Sequence, residues 1–427
     1  MGPSSGASRR FVAVIGGGVS GLTAGYLLAR AGDHVTLFEA EDRLGGHART
    51  HQADGQDGRT YGLDGGFIAY NERSYPLLTR LLAELGVAGQ DSDLSMSIRC
   101  EGCGLQYADH RGPRGLLAGL SQGRGRYAKL LTEILTFRRR AGELLDAGGQ
   151  DDDVTLGQFL TDGGFSAYFR THFALPLVAA VWSCPPAAAA HYPARYLFGF
   201  LRHHGLLSVT GSPAWRTVTG GSSRYVQQLA RQLPAVQTSA PARAVHRFPD
   251  GVVVRDGSGQ ATAFDHVVIA THADQALGLL AHPTPVEEKV LGAFPYLSSR
   301  ALLHTDDRLL PGRPGIRASW NYHLSDCDGP VQRTRMSYHL NRLQRLSADQ
   351  DYIVTLGGDG AVADDTVIGR MEFSHPVYTP ESVTAQRQLP ELNTGAAVFA
   401  GAYHGWGFHE DGCRSGVDAA RALGVTW

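Results

Sequence analysis

The sequence predicts an α/β fold in which a discontinuous nucleotide-binding domain carries a second domain of mixed sheet and helices. Three observations predict it. A strand–glycine turn–helix–strand unit opens the chain between Phe11 and Glu39. A strand–turn–helix unit closes it between Val398 and Gly416. Short alternating apolar bursts between them, from about Leu302 to Tyr378, read as strands of a second sheet. If both end units serve one nucleotide site, those ends must meet in space. The expected bounds are 9–75, 215–283 and 385–427 for the nucleotide domain, and 76–214 and 284–384 for the second, substrate domain.

Composition narrows the function classes. The 427 residues are 43% apolar and 19% charged, a globular balance. Lys+Arg of 39 against Asp+Glu of 41 leaves no basic field for nucleic acid. Five cysteines make no disulfide framework and suit a reducing compartment. Cys100 and Cys103 form one C-x-x-C pair with no second pair, so no metal site is expected. No uninterrupted apolar run approaches 18 residues, and Met1–Arg10 lacks a signal-peptide core. A soluble, cytoplasmic protein is expected.

The opening unit justifies itself residue by residue. Val12, Val14 and Ile15 read as a buried strand, and a helix is expected from about Ser20 to Ala31, with Gly32 as its stop. Gly16 permits the tight turn, Gly18 lets backbone approach a pyrophosphate, and Gly21 lets helix pack on strand. Val19 and Ser20 begin the helix, whose unpaired N–H groups and positive dipole end favour phosphate. Val35–Phe38 is the second strand. Glu39 at its end, 18 positions after Gly21, can accept from both ribose hydroxyls of an adenosine. An acidic residue there favours FAD or NAD over a 2′-phosphorylated cofactor.

Downstream, Ser74 reads as an N-cap with Pro76 in the first turn of a Leu-rich helix ending at Gly86. From about Gly115 to Gly205 the pattern is mainly helical, broken by a solvated loop at 148–153. The basic run Arg111, Arg114, Arg124, Arg126, Lys129, Arg138, Arg139 and Arg140 reads as a solvated helix face. Its sharper reading is a contact for a membrane surface or a carrier protein. Ala242–Val245 and Gly251–Val254 alternate as a β-meander, and Phe264–Ala270 is a buried strand before a turn at Thr271-His272. Ile316–Trp320, Met336–Leu340 and Tyr352–Leu356 read as strands of the second sheet.

The segment Glu39-Ala40-Glu41-Asp42-Arg43-Leu44-Gly45-Gly46-His47 resembles the E-A-x-x-R-x-G-G-R motif of the FAD-dependent amine oxidase superfamily, with His47 in place of arginine. Monoamine oxidases, L-amino-acid oxidases and phytoene desaturases belong to it. The resemblance implies a Rossmann-like FAD-binding domain, with Ala40, Arg43, Gly45, Gly46 and His47 near the cofactor. The closing unit is similar to the superfamily's last FAD motif, which places Gly401, Gly407, Phe408, His409 and Asp411 at the flavin. The strand before Thr271 is similar to its D-x-V-V-x-A-x-P segment, and the backbone at Ala242 then meets the adenine. Asp64–Pro76, with Gly65, Gly66, Phe67 and Ile68 expected at FAD, resembles a bacterial subfamily described only as NAD/FAD-binding flavoproteins. Val181–Pro186 and His204–Ser208 share that resemblance. Members often sit beside cyclopropane-fatty-acid synthase-like methyltransferases.

The resemblance implies FAD-dependent oxidation of a hydrophobic small-molecule or lipid-like substrate, leaving a C=C or C=N bond. A flavin-dependent double-bond isomerase, or a non-catalytic FAD-bound accessory protein of a methyltransferase, are the alternatives. Many superfamily oxidases place a lysine near the flavin, on the strand that here reads Leu297–Leu303. Neither lysine of this chain, Lys129 or Lys289, falls there, and Arg300 cannot act as a base. His409 and His404 are therefore the expected catalytic groups, titrating near neutrality. Tyr70, Trp320, Tyr403 and Trp406 are expected at the substrate.

Overall fold

The protein is described by a computed structural model covering residues 9–109, 124–148, 154–207, 213–327, 335–393 and 395–427. Arg111, Arg114 and the 149–153 part of the expected loop lie outside the described residues, as does Ser208. A five-stranded parallel sheet runs in the order 235–237, 34–38, 11–15, 266–269, 397–399. The buried positions of its strands are apolar because both faces are covered. Val12 and Val14 face the first helix, Val19–Arg30, while Ala13 and Ile15 face the three-stranded meander of residues 242–264. Phe38 meets Phe264 edge-to-face across that second interface at 6.0 Å.

The last helix, His409–Ala422, lies against the first. A Cβ on Gly416 would stand 2.4 Å from the Ser20 carbonyl oxygen, and one on Gly412 2.6 Å from Val19 Cγ1. Glycine at both places is what lets the two helices touch. The chain's two ends are thereby fused into one layer.

A seven-stranded sheet forms the second layer, in the order 367–376, 296–304, 353–356, 335–339, 320–324, 96–100, 106–109. Only the pairing of 320–324 with 96–100 is parallel. Helices from the 124–203 region pack on it, with Phe137, Phe169 and Phe198 joining Ile98, Tyr107 and Tyr322 in one core.

Two elements differ from the sequence reading. Ser74 does not cap the helix Pro76–Glu84, whose N-cap is Tyr75. The first-turn N–H groups of Leu77 and Leu78 donate instead to the Glu410 carboxylate, at 3.1 and 3.0 Å. Ser74 Oγ donates to the His203 carbonyl. The strand expected at 316–320 starts only at Trp320. Asn321 takes both the N–H and the carbonyl of Ala318 with its side chain, a competitor for ladder pairing. Among the described residues, no helix is long and apolar enough to cross a membrane.

Candidate functional site

The two layers enclose a cavity of about 930 Å³. One end is a glycine cradle. Gly16 adopts φ +105°, a conformation that favours glycine. A Cβ on Gly21 would fall 2.0 Å from the Gly16 carbonyl, so this glycine packs helix on strand and does not itself line the cavity. Gly18 begins the first helix with no side-chain cap, and a Cβ there would meet nothing within 4 Å. The helix therefore presents backbone N–H groups to open space, a ready anion site. Glu39 stands beside it. Its carboxylate accepts from Gly17 N–H at 2.7 Å and from Glu41 N–H at 2.9 Å. One bond per oxygen leaves lone pairs for two hydroxyl donors.

Most of the expected cofactor residues line this cavity. Gly16, Gly18, Val19, Ser20, Glu39 and Ala40 form one side. Arg43, Gly45, Gly46, His47, Gly65, Gly66, Phe67 and Ile68 form the next, and Ala242, Thr271, Gly401, Gly407, Phe408 and His409 complete it. Arg43 donates to the Gly46 carbonyl at 3.1 Å, fixing the Gly45-Gly46 turn. Asp411 stays off the wall; its carboxylate accepts from Phe408 N–H and caps the last helix. Burial pushes its pKa up to about 6.

The catalytic expectation for histidine changes. His409 lines the cavity, stacked on Phe67 with ring centroids 3.7 Å apart and planes 9° off parallel. Its Nε2 lies 3.0 Å from the Tyr225 hydroxyl. Burial lowers its pKa to about 3, so it is neutral at physiological pH and does not titrate near 7. His404 points away from the cavity into the core, and burial holds it at about 4. Of the expected substrate residues, Trp320 and Tyr403 line the cavity, whereas Tyr70 and Trp406 do not. Tyr70 is buried beneath Gly89, and Trp406 packs on His203 and Phe200. Arg300 projects outward, 74% exposed, toward Asp359.

A histidine cluster escaped the sequence reading. His47, His272 and His375 converge on the cavity wall. The His47 and His375 rings lie 4.9 Å apart, and those of His47 and His272 6.5 Å. Phe373 stacks on His47 and Tyr296 on His272. Burial keeps all three below their usual range, His375 at about 4, and neighbouring histidines add repulsion at His47 and His375. The three come from a loop, a turn and a strand far apart in sequence, so no spacing could announce them. Beyond them the cavity ends in Met96, Ile98, Tyr107, Phe173 and Leu177, with Arg138 at the same end. The basic run thus turns one arginine inward.

The residues present fit a dinucleotide with a flavin. The bare helix N-terminus and Glu39 suit pyrophosphate and ribose. The buried, unpartnered Nδ1 of His375 on the cavity wall offers a polar contact to a ring edge. Parallel sheet, cradle and facing second layer together define a dinucleotide-binding protein. The family model for flavin-containing amine oxidoreductases matches residues 19–303. The chain belongs to this family, and FAD is its cofactor. The putative flavin-containing monoamine oxidase AofH of Mycobacterium tuberculosis is 29% identical over 66% of this chain and 61% of its own length. The carotenoid phi-ring synthase of Streptomyces griseus is 37% identical over 73% of this chain and 63% of its own. The chain thus spans about three-fifths of these relatives. The fold matches that of putrescine oxidase with a TM-score of 0.69 at 16% identity, covering 97% of this chain and 99% of that one. A fatty acid isomerase from P. acnes gives 0.67 at 15% identity over 96% and 98%.

Proposed function

We propose that the protein removes hydride from a C–H bond of a hydrophobic substrate, leaving a C=C or C=N bond. One observation carries this reading. The cavity that begins at the glycine cradle continues without a wall into an end lined by Met96, Ile98, Phe173, Leu177 and Trp320. Such an end desolvates apolar surface and offers few groups to a polar ligand. The match to a relative named carotenoid phi-ring synthase supports it, since carotenoids are apolar polyenes.

FAD, when bound, supplies the hydride acceptor. The chain's residues hold and orient. Glu39 and the first helix fix the nucleotide end. The Phe67–His409 stack and Gly65–Gly66 shape the middle of the cavity. Trp320 and Tyr338, edge-to-face at 5.6 Å, help shape the substrate end. Neither lysine lines the cavity, and the histidines that do are held neutral by burial. A neutral imidazole places no charge against an apolar substrate and offers a lone pair for the proton that leaves with the hydride, becoming charged only on accepting it.

Anaerobic spectroscopy of the flavin band tests the reading. The panel contains hydrophobic amines, polyenes, long-chain unsaturated acids and a short polar diamine. The acids probe Arg138. Bleaching by a hydrophobic member, with no response to the diamine, is the expected result. Bleaching by the diamine alone overturns it.

A further inference from the structure

Away from the cavity's nucleotide end, the fold completes what the C-x-x-C pair begins. Cys100, Cys103, Cys327 and His172 bring one ligand atom each to a group in which all four lie within 4.8 Å of one another. We propose that these residues form a closed Cys₃His site for a zinc-class divalent cation, which staples the wall of the substrate end.

The Cys103–His172 separation is that of a tetrahedron's edge. Zinc bonds of about 2.3 Å to sulfur and about 2.0–2.1 Å to nitrogen put neighbouring S and N ligands about 3.6 Å apart. Cys103 Sγ and His172 Nε2 stand 3.5 Å apart. The second shell is in place. His172 Nδ1 lies 2.9 Å from the Tyr168 carbonyl, which fixes the proton on Nδ1 and leaves the Nε2 lone pair facing the sulfurs. Histidine ligands are oriented in this way by a backbone carbonyl or carboxylate. His172 is fully buried and sits in a single π-helical turn, Arg170–Ala174, a local rearrangement often found at functional sites. Tyr107 donates to the His172 carbonyl at 2.8 Å, tying that turn to the strand beside Cys100.

The backbone is shaped for the approach. Gly104 takes φ +72°, which closes the turn so that Cys100 N–H reaches the Leu105 carbonyl at 2.8 Å. A Cβ on Gly102 would meet Cys327 N at 3.0 Å, so glycine between the paired cysteines lets the 326–327 segment come near. Four ligands with no open position make a structural rather than a catalytic site. Binding would release the thiol protons to solvent and leave three thiolates on the cation.

The site joins three distant parts of the chain: the hairpin of 96–109, the helical region at 172, and the segment after strand 320–324. Tyr107, Phe173 and Trp320, each near a ligand in sequence, line the cavity. The cation would hold the substrate end and leave the FAD cradle alone.

Elemental analysis of untagged full-length holoprotein, purified with reductant and dialysed against a weak chelator, tests this. One zinc per chain is expected. Cys103→Ser and Cys327→Ser should each lose it, keep FAD and melt several degrees lower. His172→Cys should keep it as a Cys₄ site, which separates lost ligation from lost folding. Cobalt added to the metal-free protein should give the intense visible bands of tetrahedral thiolate ligation. Less than a tenth of an equivalent of zinc, with no such cobalt spectrum in the reduced, FAD-loaded chain, overturns the proposal. So does a Cys100–Cys103 disulfide found by mass in protein purified without oxidant.

Discussion

Glu39 and His409 face one cavity and do different work. Glu39→Ala removes two charge-assisted acceptors for ribose hydroxyls, each worth roughly 1.5–3 kcal/mol. FAD affinity, measured by titrating flavin-stripped protein, should fall at least tenfold while the fold survives with FAD in excess; unchanged affinity would contradict the assigned contact. His409 is a packed, neutral ring. His409→Gln should leave the pH profile of anaerobic flavin reduction unchanged between pH 5 and 8. It should also lower stability by about 1–3 kcal/mol through the lost Phe67 stack and Tyr225 contact. An acid limb near pH 6–7 that vanishes in the variant would restore His409 as a titrating base. At this scale the sequence was informative where chemistry is local. Gly16, Gly18 and Glu39 sit within one strand–turn–helix–strand unit, so their spacing carries their role. His47, His272 and His375 meet only in the folded chain. His404 was misread because motif membership says nothing of which way a side chain points.

The first and last helices are the elements on which the site depends. Their contact uses Gly412 and Gly416, where added methyls would strike Val19 and the Ser20 carbonyl. Gly416→Ala should cost about 1–3 kcal/mol by overpacking and weaken FAD binding, because displacing the first helix moves the cradle. Gly142, in the helix Arg124–Asp146, has nothing within 4 Å of its would-be Cβ. Gly142→Ala should therefore stabilise by up to about 1 kcal/mol with FAD binding unchanged. Thermal melts of both variants, with and without FAD, check the pair; equal effects would show that the helix contact is not tight. The first helix was legible from its apolar periodicity and stop glycine, the last from the strand–glycine turn–helix pattern that resembles the family's closing motif. Their contact was not, since Gly412 and Gly416 look like ordinary turn or propensity losses until Ser20 is seen beneath them. The cap of Pro76–Glu84 was missed for the same reason: its acceptor, Glu410, is 333 residues from Leu77.

Across the whole molecule, buried histidines set the response to acid. Burial holds His204, His304, His375 and His404 near 4 and His409 near 3. In the unfolded chain these groups titrate near 6.5. Their contribution is complete above pH 6.5 and is lost as pH falls toward 4, where the unfolded chain takes protons that the folded one refuses. Asp64 and Asp411, raised to about 6, act oppositely between about pH 6 and 4, because there the folded state binds their protons. Near pH 5 the depressed histidines outnumber the two raised aspartates, so stability falls on acidification. The melting temperature should drop steeply between pH 6.5 and 4.5; a flat profile would mean that the histidines are solvated.

The α/β class and the convergence of both chain ends were legible in the sequence because each end carries a self-contained unit. The joining of Cys100 and Cys103 to His172 and Cys327 was not, since it depends on the parallel pairing of 320–324 with 96–100. One non-covalent FAD held by both ends of the chain is the central expectation. None of the five cysteines lines the cavity. Acid precipitation of the purified protein, with FAD quantified in supernatant and pellet, tests this directly. One FAD per chain in the supernatant is predicted. Colour retained in the pellet, or a correctly folded chain that takes up no FAD, would contradict it.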